Sequence, residues 1–302
     1  MPLVERKLIL EEFVPPFQVL EPACPSTPFI FCSPHSGAVY PPSFVKASRL
    51  DAHTLRKSED VLVDKLFSTV TALGAPLISA NFPRAYLDLN REPYELDPIL
   101  FAAPLPPFAN SQSMRVAGGL GTIARIVADA EEIYPANGRP SLAAALQRID
   151  LLYKPFHAAL TSLIAKTRDR FGTAILIDCH SMPSSSMAKP GSANRPDIVL
   201  GDRFGASCDA RVTRMARDAM AEQGLHTQLN RPYAGGFITE HYGRPYEGVH
   251  ALQIEINRAL YLDESSLEPS PGFRVLKEAL GKVVELMIRD LPRQLTTRIA
   301  AE

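Results

Sequence analysis

Four cysteines in 302 residues (Cys24, Cys32, Cys179 and Cys208) are too few and too irregularly spaced for a disulfide framework or a cysteine-based zinc site. No CxxC pair occurs, and most of the four sit in apolar runs, so buried free thiols in a reducing cytoplasm are expected. No apolar stretch approaches the ~18–20 residues that a membrane helix requires. Residues 1–12 mix Glu and Lys with Leu and Ile and lack the apolar core of a signal peptide. A formal net charge of −1 makes no basic face obligatory, which argues against a nucleic-acid partner. A Gly-x-Ser-x-Gly elbow is missing, so a serine hydrolase is not expected, and Gly119-Leu120-Gly121 lacks the spacing of a phosphate loop. Tryptophan is absent too, which decides nothing. What is left is ordinary for a globular chain, at 46% hydrophobic and 22% charged residues. The length allows one large α/β domain, and no internal repeat or forced boundary divides residues 1–302.

The most informative stretch is Thr173-Ala174-Ile175-Leu176-Ile177-Asp178-Cys179-His180-Ser181-Met182. Its branched apolar run reads as a buried strand that ends in polar residues. Pro28-Phe29-Ile30-Phe31-Cys32 repeats the arrangement and leads into Ser33-Pro34-His35-Ser36-Gly37. Open α/β sheets bind ligands at the carboxyl ends of their strands, so two strand-end histidines suggest one shared metal site. Elsewhere the pattern predicts a helix over Asp60–Leu73, strands over Pro76–Asn81 and Ala85–Leu89, and a proline-rich loop over Glu92–Ala117. A long helix over Ser141–Phe171, capped by Ser141, should kink or split at Pro155. A Ser/Gly/Pro stretch to Arg195, a strand over Asp197–Gly201 and a helix over Ala206–Gln223 follow. A strand over Val249–Ile256 and a helix over Gly272–Leu291 close the pattern. Alternating strands and helices predict a mostly parallel sheet sandwiched by helices.

A catalytic zinc takes three protein ligands from His and Asp/Glu and leaves a position for water. His35 and His180 are two candidates. Asp60, at the expected helix start, is the preferred third, with Glu59, Asp64 and Asp178 as rivals and a simple first-turn acid as the bland alternative. Glu255 lies in Leu252-Gln253-Ile254-Glu255-Ile256-Asn257 among apolar neighbours. Partial burial suits it to general-base work, unless it merely pairs with Arg258. Arg84, Asn90 and Arg91 read as an anion clamp or as an Asp88–Arg ion pair. Arg125 is a candidate to stabilise an oxyanion or hold a carboxylate, and Gly235-Gly236 marks a loop needing unusual dihedrals or a close backbone approach. His53, His157 and His226 read as structural, whereas His241 and His250 are weaker candidates to line the pocket.

The ordered set Ser33-Pro34-His35-Ser36-Gly37, Asp88-Leu89-Asn90-Arg91-Glu92-Pro93, Asp178-Cys179-His180-Ser181-Met182, Arg231-Pro232-Tyr233-Ala234-Gly235-Gly236-Phe237 and Gln253-Ile254-Glu255-Ile256-Asn257 resembles the N-formylglutamate amidohydrolase family. That family is similar in fold to the zinc carboxypeptidases and the succinylglutamate desuccinylase and aspartoacylase group. The resemblance implies a three-layer α/β sandwich and a divalent metal, zinc by preference. It also implies hydrolysis of N-formyl-L-glutamate to formate and L-glutamate, the end of one histidine-degradation route. Carried over by position, it makes His35 and His180 metal ligands, Asn90-Arg91 the holder of the substrate's α-carboxylate, and Glu255 the base and acid. Carboxypeptidases take an acidic ligand three residues after the first His, and here that position is Ala38, so the third ligand must come from elsewhere. The expected partner is a small molecule carrying carboxylates. A deacylase or peptidase for another N-acyl substrate, and a non-catalytic carboxylate binder, are the alternatives. Either Glu92–Ala117 or Ser184–Arg195 is expected to close over the site.

Overall fold

Runs of β-branched and aromatic residues form the strands β1 (Phe17–Leu20), β2 (Phe29–Ser33), β3 (Leu77–Ala80), β4 (Ala174–Met182), β5 (Ile198–Gly201), β6 (Thr227–Leu229) and β7 (Val249–Asn257). In this computed structural model, which describes residues 11–187 and 195–296, they make one sheet in the order β1-β3-β2-β4-β7-β5-β6. Strand β4 runs parallel to both β2 and β7, while β5 is antiparallel to β7 and parallel to β6. The sheet is therefore mixed, with a reversal between β7 and β5. Every residue of β2, β3, β4, β5 and β7 is buried. Burial of both faces is what a sheet covered on each side requires, and it explains why these strands read as continuous apolar runs rather than alternating ones.

The chain divides into two compact units: residues 1–18, 34–61 and 79–161 form one, and residues 19–33, 62–78 and 162–302 the other. The second holds most of the sheet. There the helix α6 (Phe237–Tyr242) packs on β4 and β7, and α2 (Val63–Leu66) packs on β4. The helix α7 (Gly272–Thr296) lies against α5 (Ala210–Glu222) and α2. In the first unit, Phe13, Phe44, Phe82, Tyr86 and Tyr134 form a chain of edge-on and tilted ring contacts with centroids 5.3–6.0 Å apart. The short helix α1 (Pro42–Ala47) supplies Phe44 to that cluster.

Several elements differ from expectation. The helix expected over Asp60–Leu73 is broken: Leu62 takes a left-handed backbone (φ 58°), only Val63–Leu66 is α-helical, and Ser68–Thr71 is a 3-10 turn. Asp60 thus stands outside any helix. Residues Ala85–Leu89 turn instead of extending, because the Pro83 carbonyl accepts from the amides of Tyr86 and Leu87. The long helix keeps its Ser141 cap, whose hydroxyl accepts from the Ala144 amide. It then runs as α3 (Leu142–Arg148), one π turn (Ile149–Tyr153) and α4 (Lys154–Phe171). The π turn thus separates two α-helical segments just before Pro155, whose missing amide an uninterrupted α-helix would require. Strand β6, Thr-Gln-Leu, is largely exposed at the sheet edge and too short to show a pattern. Residues 1–10, 188–194 and 297–302, and with them most of the Ser/Gly/Pro stretch to Arg195, lie outside the described residues.

All four cysteines are free thiols; Cys32, Cys179 and Cys208 are buried and Cys24 is exposed. No described helix is long and apolar enough to cross a membrane.

Candidate active site

In the first unit, the residues after β2 bring a histidine against two carboxylates. His35 is buried; its Nδ1 lies 3.4 Å from Oδ2 of Asp60, and its Nε2 lies 2.7 Å from Oδ1 of Asp88. The Asp60 amide donates to the His35 carbonyl at 3.0 Å, which ties the two segments together. Gly37 makes this turn possible: a Cβ there would sit 2.1 Å from the Phe82 carbonyl oxygen. Of the rival third ligands, Glu59 accepts from Arg56 Nε at 3.2 Å, and Asp64 is paired with the exposed Lys65. Asp178 belongs to the second unit and holds a histidine of its own.

Asp88 is the organiser that the sequence did not single out beyond a possible ion pair. One oxygen takes His35 and the Asn90 amide, and the other takes Arg84 Nη2 at 2.8 Å, with Arg91 Nη2 at 3.6 Å. Burial alone would raise the Asp88 carboxyl. Arg91, Arg84 and His35 more than reverse that, and hold it well below the usual carboxylate range. Arg91 is itself buried, which pulls its pKa down to about 10, with Asp88 partly restoring it. Its Nε donates to the Leu120 carbonyl and its Nη1 to the Asn90 carbonyl, so the guanidinium is fixed in direction. Arg84, Asn90 and Arg91 therefore share one carboxylate, as an ion pair and as a prearranged cationic group at once. Arg125 behaves differently: Asp97 at 2.8 Å and Glu132 at 3.2 Å occupy its fork.

The second unit supplies the remaining candidates from one face of the sheet. Asp178 and His180 are two apart on β4, Gln253 and Glu255 two apart on β7, and the register places Asp178 beside Gln253 and His180 beside Glu255. Side chains two apart on a strand share a face, so all four project together. His180 sits inside β4, two residues before its end, rather than beyond it. Its Nε2 lies 2.9 Å from Oδ1 of Asp178, whose other oxygen accepts from the Thr239 hydroxyl of α6 at 3.3 Å. The Gly236 amide donates to Gln253 Oε1 at 2.7 Å, and Gln253 Nε2 donates to Glu255 Oε1 at 2.9 Å. Gly235 has φ 122°, and a Cβ there would meet Thr239 and Arg203 at 3.0–3.1 Å, so this loop requires glycine. Arg258 Nε donates to Ser181 at 3.1 Å.

Both histidines are thus held the same way, each by an aspartate at Nε2. A histidine that ligates a metal commonly gives its other ring nitrogen to a carboxylate, which fixes the ring and its tautomer. Among the described residues, the groups suited to ligate a metal are His35 and Asp60 in the first unit and His180 in the second. His250 lies at the other end of β7 from Glu255, about 16 Å away at ordinary strand rise. Its Nδ1 accepts the Asp209 amide, and burial lowers its pKa. His241 stacks on Phe237 within α6, and His157 contacts the Leu89 carbonyl and makes a tilted ring contact with Tyr153.

The N-formylglutamate amidohydrolase family model matches residues 27–262. The chain belongs to that family. It is 28% identical over 265 residues to N-formylglutamate deformylase of Pseudomonas aeruginosa, covering 87% of this chain and 92% of that one. The crystal structure of N-formylglutamate amidohydrolase from Ralstonia eutropha JMP134 superposes with a TM-score of 0.85 at 33% identity, covering 94% of this chain and all of that chain. A gene product of Agrobacterium tumefaciens shares the fold at a TM-score of 0.65 and 19% identity, covering 95% of this chain and 96% of its own.

Proposed function

We propose that this chain, as one amidohydrolase domain, hydrolyses the amide bond of a small N-acyl amino acid, N-formyl-L-glutamate in the first instance, with a divalent metal, zinc by preference. The matching arrangement of the two histidines carries the reading: each sets Nε2 against a buried aspartate, the arrangement that fixes the ring of a metal-ligating histidine. With Asp60 they are the proposed ligands, and a His–Asp–His donor set is of the kind that suits zinc and leaves a position for water. His35, Asp60 and His180 would hold the divalent ion, which would supply a lowered water pKa and polarisation of the acyl oxygen.

The chain's own residues do the rest. Glu255, oriented by Gln253, takes the proton of the attacking water and delivers it to the departing amine nitrogen as the C–N bond breaks. Arg91, with Arg84 and Asn90, orients the substrate carboxylates, and its fixed guanidinium loses little freedom in doing so. Gly235-Gly236 offers a close-lying backbone as a wall of the substrate pocket. Arg125 receives no chemical step, because two acids already occupy its fork.

Metal analysis of purified protein, with an amine-release assay on N-formyl-L-glutamate before and after chelation, tests the proposal. One divalent ion per chain and chelator-sensitive turnover are expected. Metal without turnover on this substrate sinks the formyl assignment, and acetyl- and succinyl-amino acids then identify the acyl group. Binding of a carboxylate ligand with neither metal nor turnover would leave only a binding protein.

A further inference from the structure

Within the first unit, Phe44, Ala47, Tyr86, Tyr134, Ala144 and Arg148 line a cavity of about 300 Å³ to which none of the residues assigned to hydrolysis contributes. Arg148 is 8% exposed and stands at the end of α3. Its guanidinium carbon lies 3.8 Å from the centre of the Tyr86 ring, and its Nη1 donates to the Tyr86 carbonyl at 3.2 Å and the Tyr134 hydroxyl at 3.3 Å. No described carboxylate pairs with it within 4.0 Å. A buried cation ordinarily has an anionic partner, since desolvation costs several kcal/mol per ion. The groups that meet this one, the Tyr86 ring and carbonyl and the Tyr134 hydroxyl, are all neutral.

The rest of the lining defines what fits. Glu12 is also present, but its carboxylate accepts from the Ser43 amide and hydroxyl, while Arg139 adds a second positive charge. The two cations outnumber the one acid. Three aromatic rings and two alanine methyls make up much of the wall, which suits a flat apolar body better than a fully hydrated ion. We infer that this cavity is a second ligand site, separate from the hydrolytic one, that takes a small carboxylate with a planar apolar body, its carboxylate on the Arg148 fork.

Benzoate serves as the probe, titrated by calorimetry into the metal-loaded protein and its Arg148→Met, Ala144→Leu and Arg91→Met variants. Saturable binding is expected in the parent protein and in Arg91→Met. It should weaken ~10-fold or more in Arg148→Met through loss of the bidentate charge-assisted pair. Ala144→Leu, which keeps the charge and fills the cavity, should weaken it too, and decides the matter if Arg148→Met does not fold. Steady-state hydrolysis by Ala144→Leu should be unchanged. No benzoate binding, or binding lost in Arg91→Met and kept in Ala144→Leu, overturns the inference. Inorganic phosphate binding in place of benzoate, with the same dependence on Arg148, would overturn the ligand class.

Discussion

Gln253 and Glu255 stand two residues apart on β7, and the amide of the first donates to Oε1 of the second at 2.9 Å while accepting from Gly236. Gln253 is a positioning residue: it couples the glycine loop to the proposed base. Replacing it by Leu removes the acceptor from a buried backbone amide and releases Glu255. We expect kcat to fall about tenfold or more, in line with the cost of misplacing a catalytic group. Gln253→Glu should instead place a like charge beside Glu255 and raise its pKa, moving the acid limb of the kcat/KM profile to higher pH. An unmoved limb in Gln253→Glu would show that Gln253 does no more than hold the loop.

Glu255→Gln preserves shape and removes the base. Loss of general acid–base catalysis is worth roughly 10²–10⁴ in rate. Metal content should stay at the parent level, since Glu255 lies outside the proposed donor set. A variant that retained full turnover would remove Glu255 from the chemistry.

Asp88 touches His35 and both arginines, so one substitution separates two of its roles. Asp88→Asn should weaken metal affinity ~10–100-fold through loss of the carboxylate behind the histidine. It should also raise KM by freeing Arg84 and Arg91 from their shared anchor. Metal titration followed by kinetics at saturating metal distinguishes the two effects. His180→Ala, which removes a ligand outright, should abolish both metal retention and turnover.

Much of this was legible because strands buried on both faces write themselves as apolar runs, and β2, β4, β5 and β7 lie close to where those runs predict. The polar residues interrupting them, Asp178, His180 and Glu255, stood out for the same reason. Asp60 could be proposed as a donor but not argued for: its neighbourhood reads as a helix start, and only the left-handed turn at Leu62 places it outside a helix. Asp88 and Gln253 were missed as organisers because nothing local marks them. An acid between arginines looks like any ion pair, and an amide on a strand has no signature until the glycine loop meets it. Arg148 gave no signal either, since an arginine at helical spacing reads as surface.

The last prediction concerns stability. Asp209 caps α5: its Oδ1 accepts from the Arg211 amide at 2.8 Å, and Arg211 Nε and Nη2 reach the same carboxylate at 3.0 and 2.7 Å. The Arg211 side-chain bonds are the largest cause of a carboxyl pKa held down at about 2, against ~3.9 in an unfolded chain. A depressed folded-state value means the stabilisation is complete above the unfolded pKa and disappears as pH falls through the folded one. Asp209→Ala should therefore lower stability near neutrality by about 1 kcal/mol, typical of a lost cap. Its deficit against the parent should shrink between about pH 4 and pH 2, the interval between the two pKa values. Denaturant unfolding of both proteins at a series of pH values checks this. A deficit that stayed constant down to pH 2 would mean the aspartate stabilises α5 without its charge.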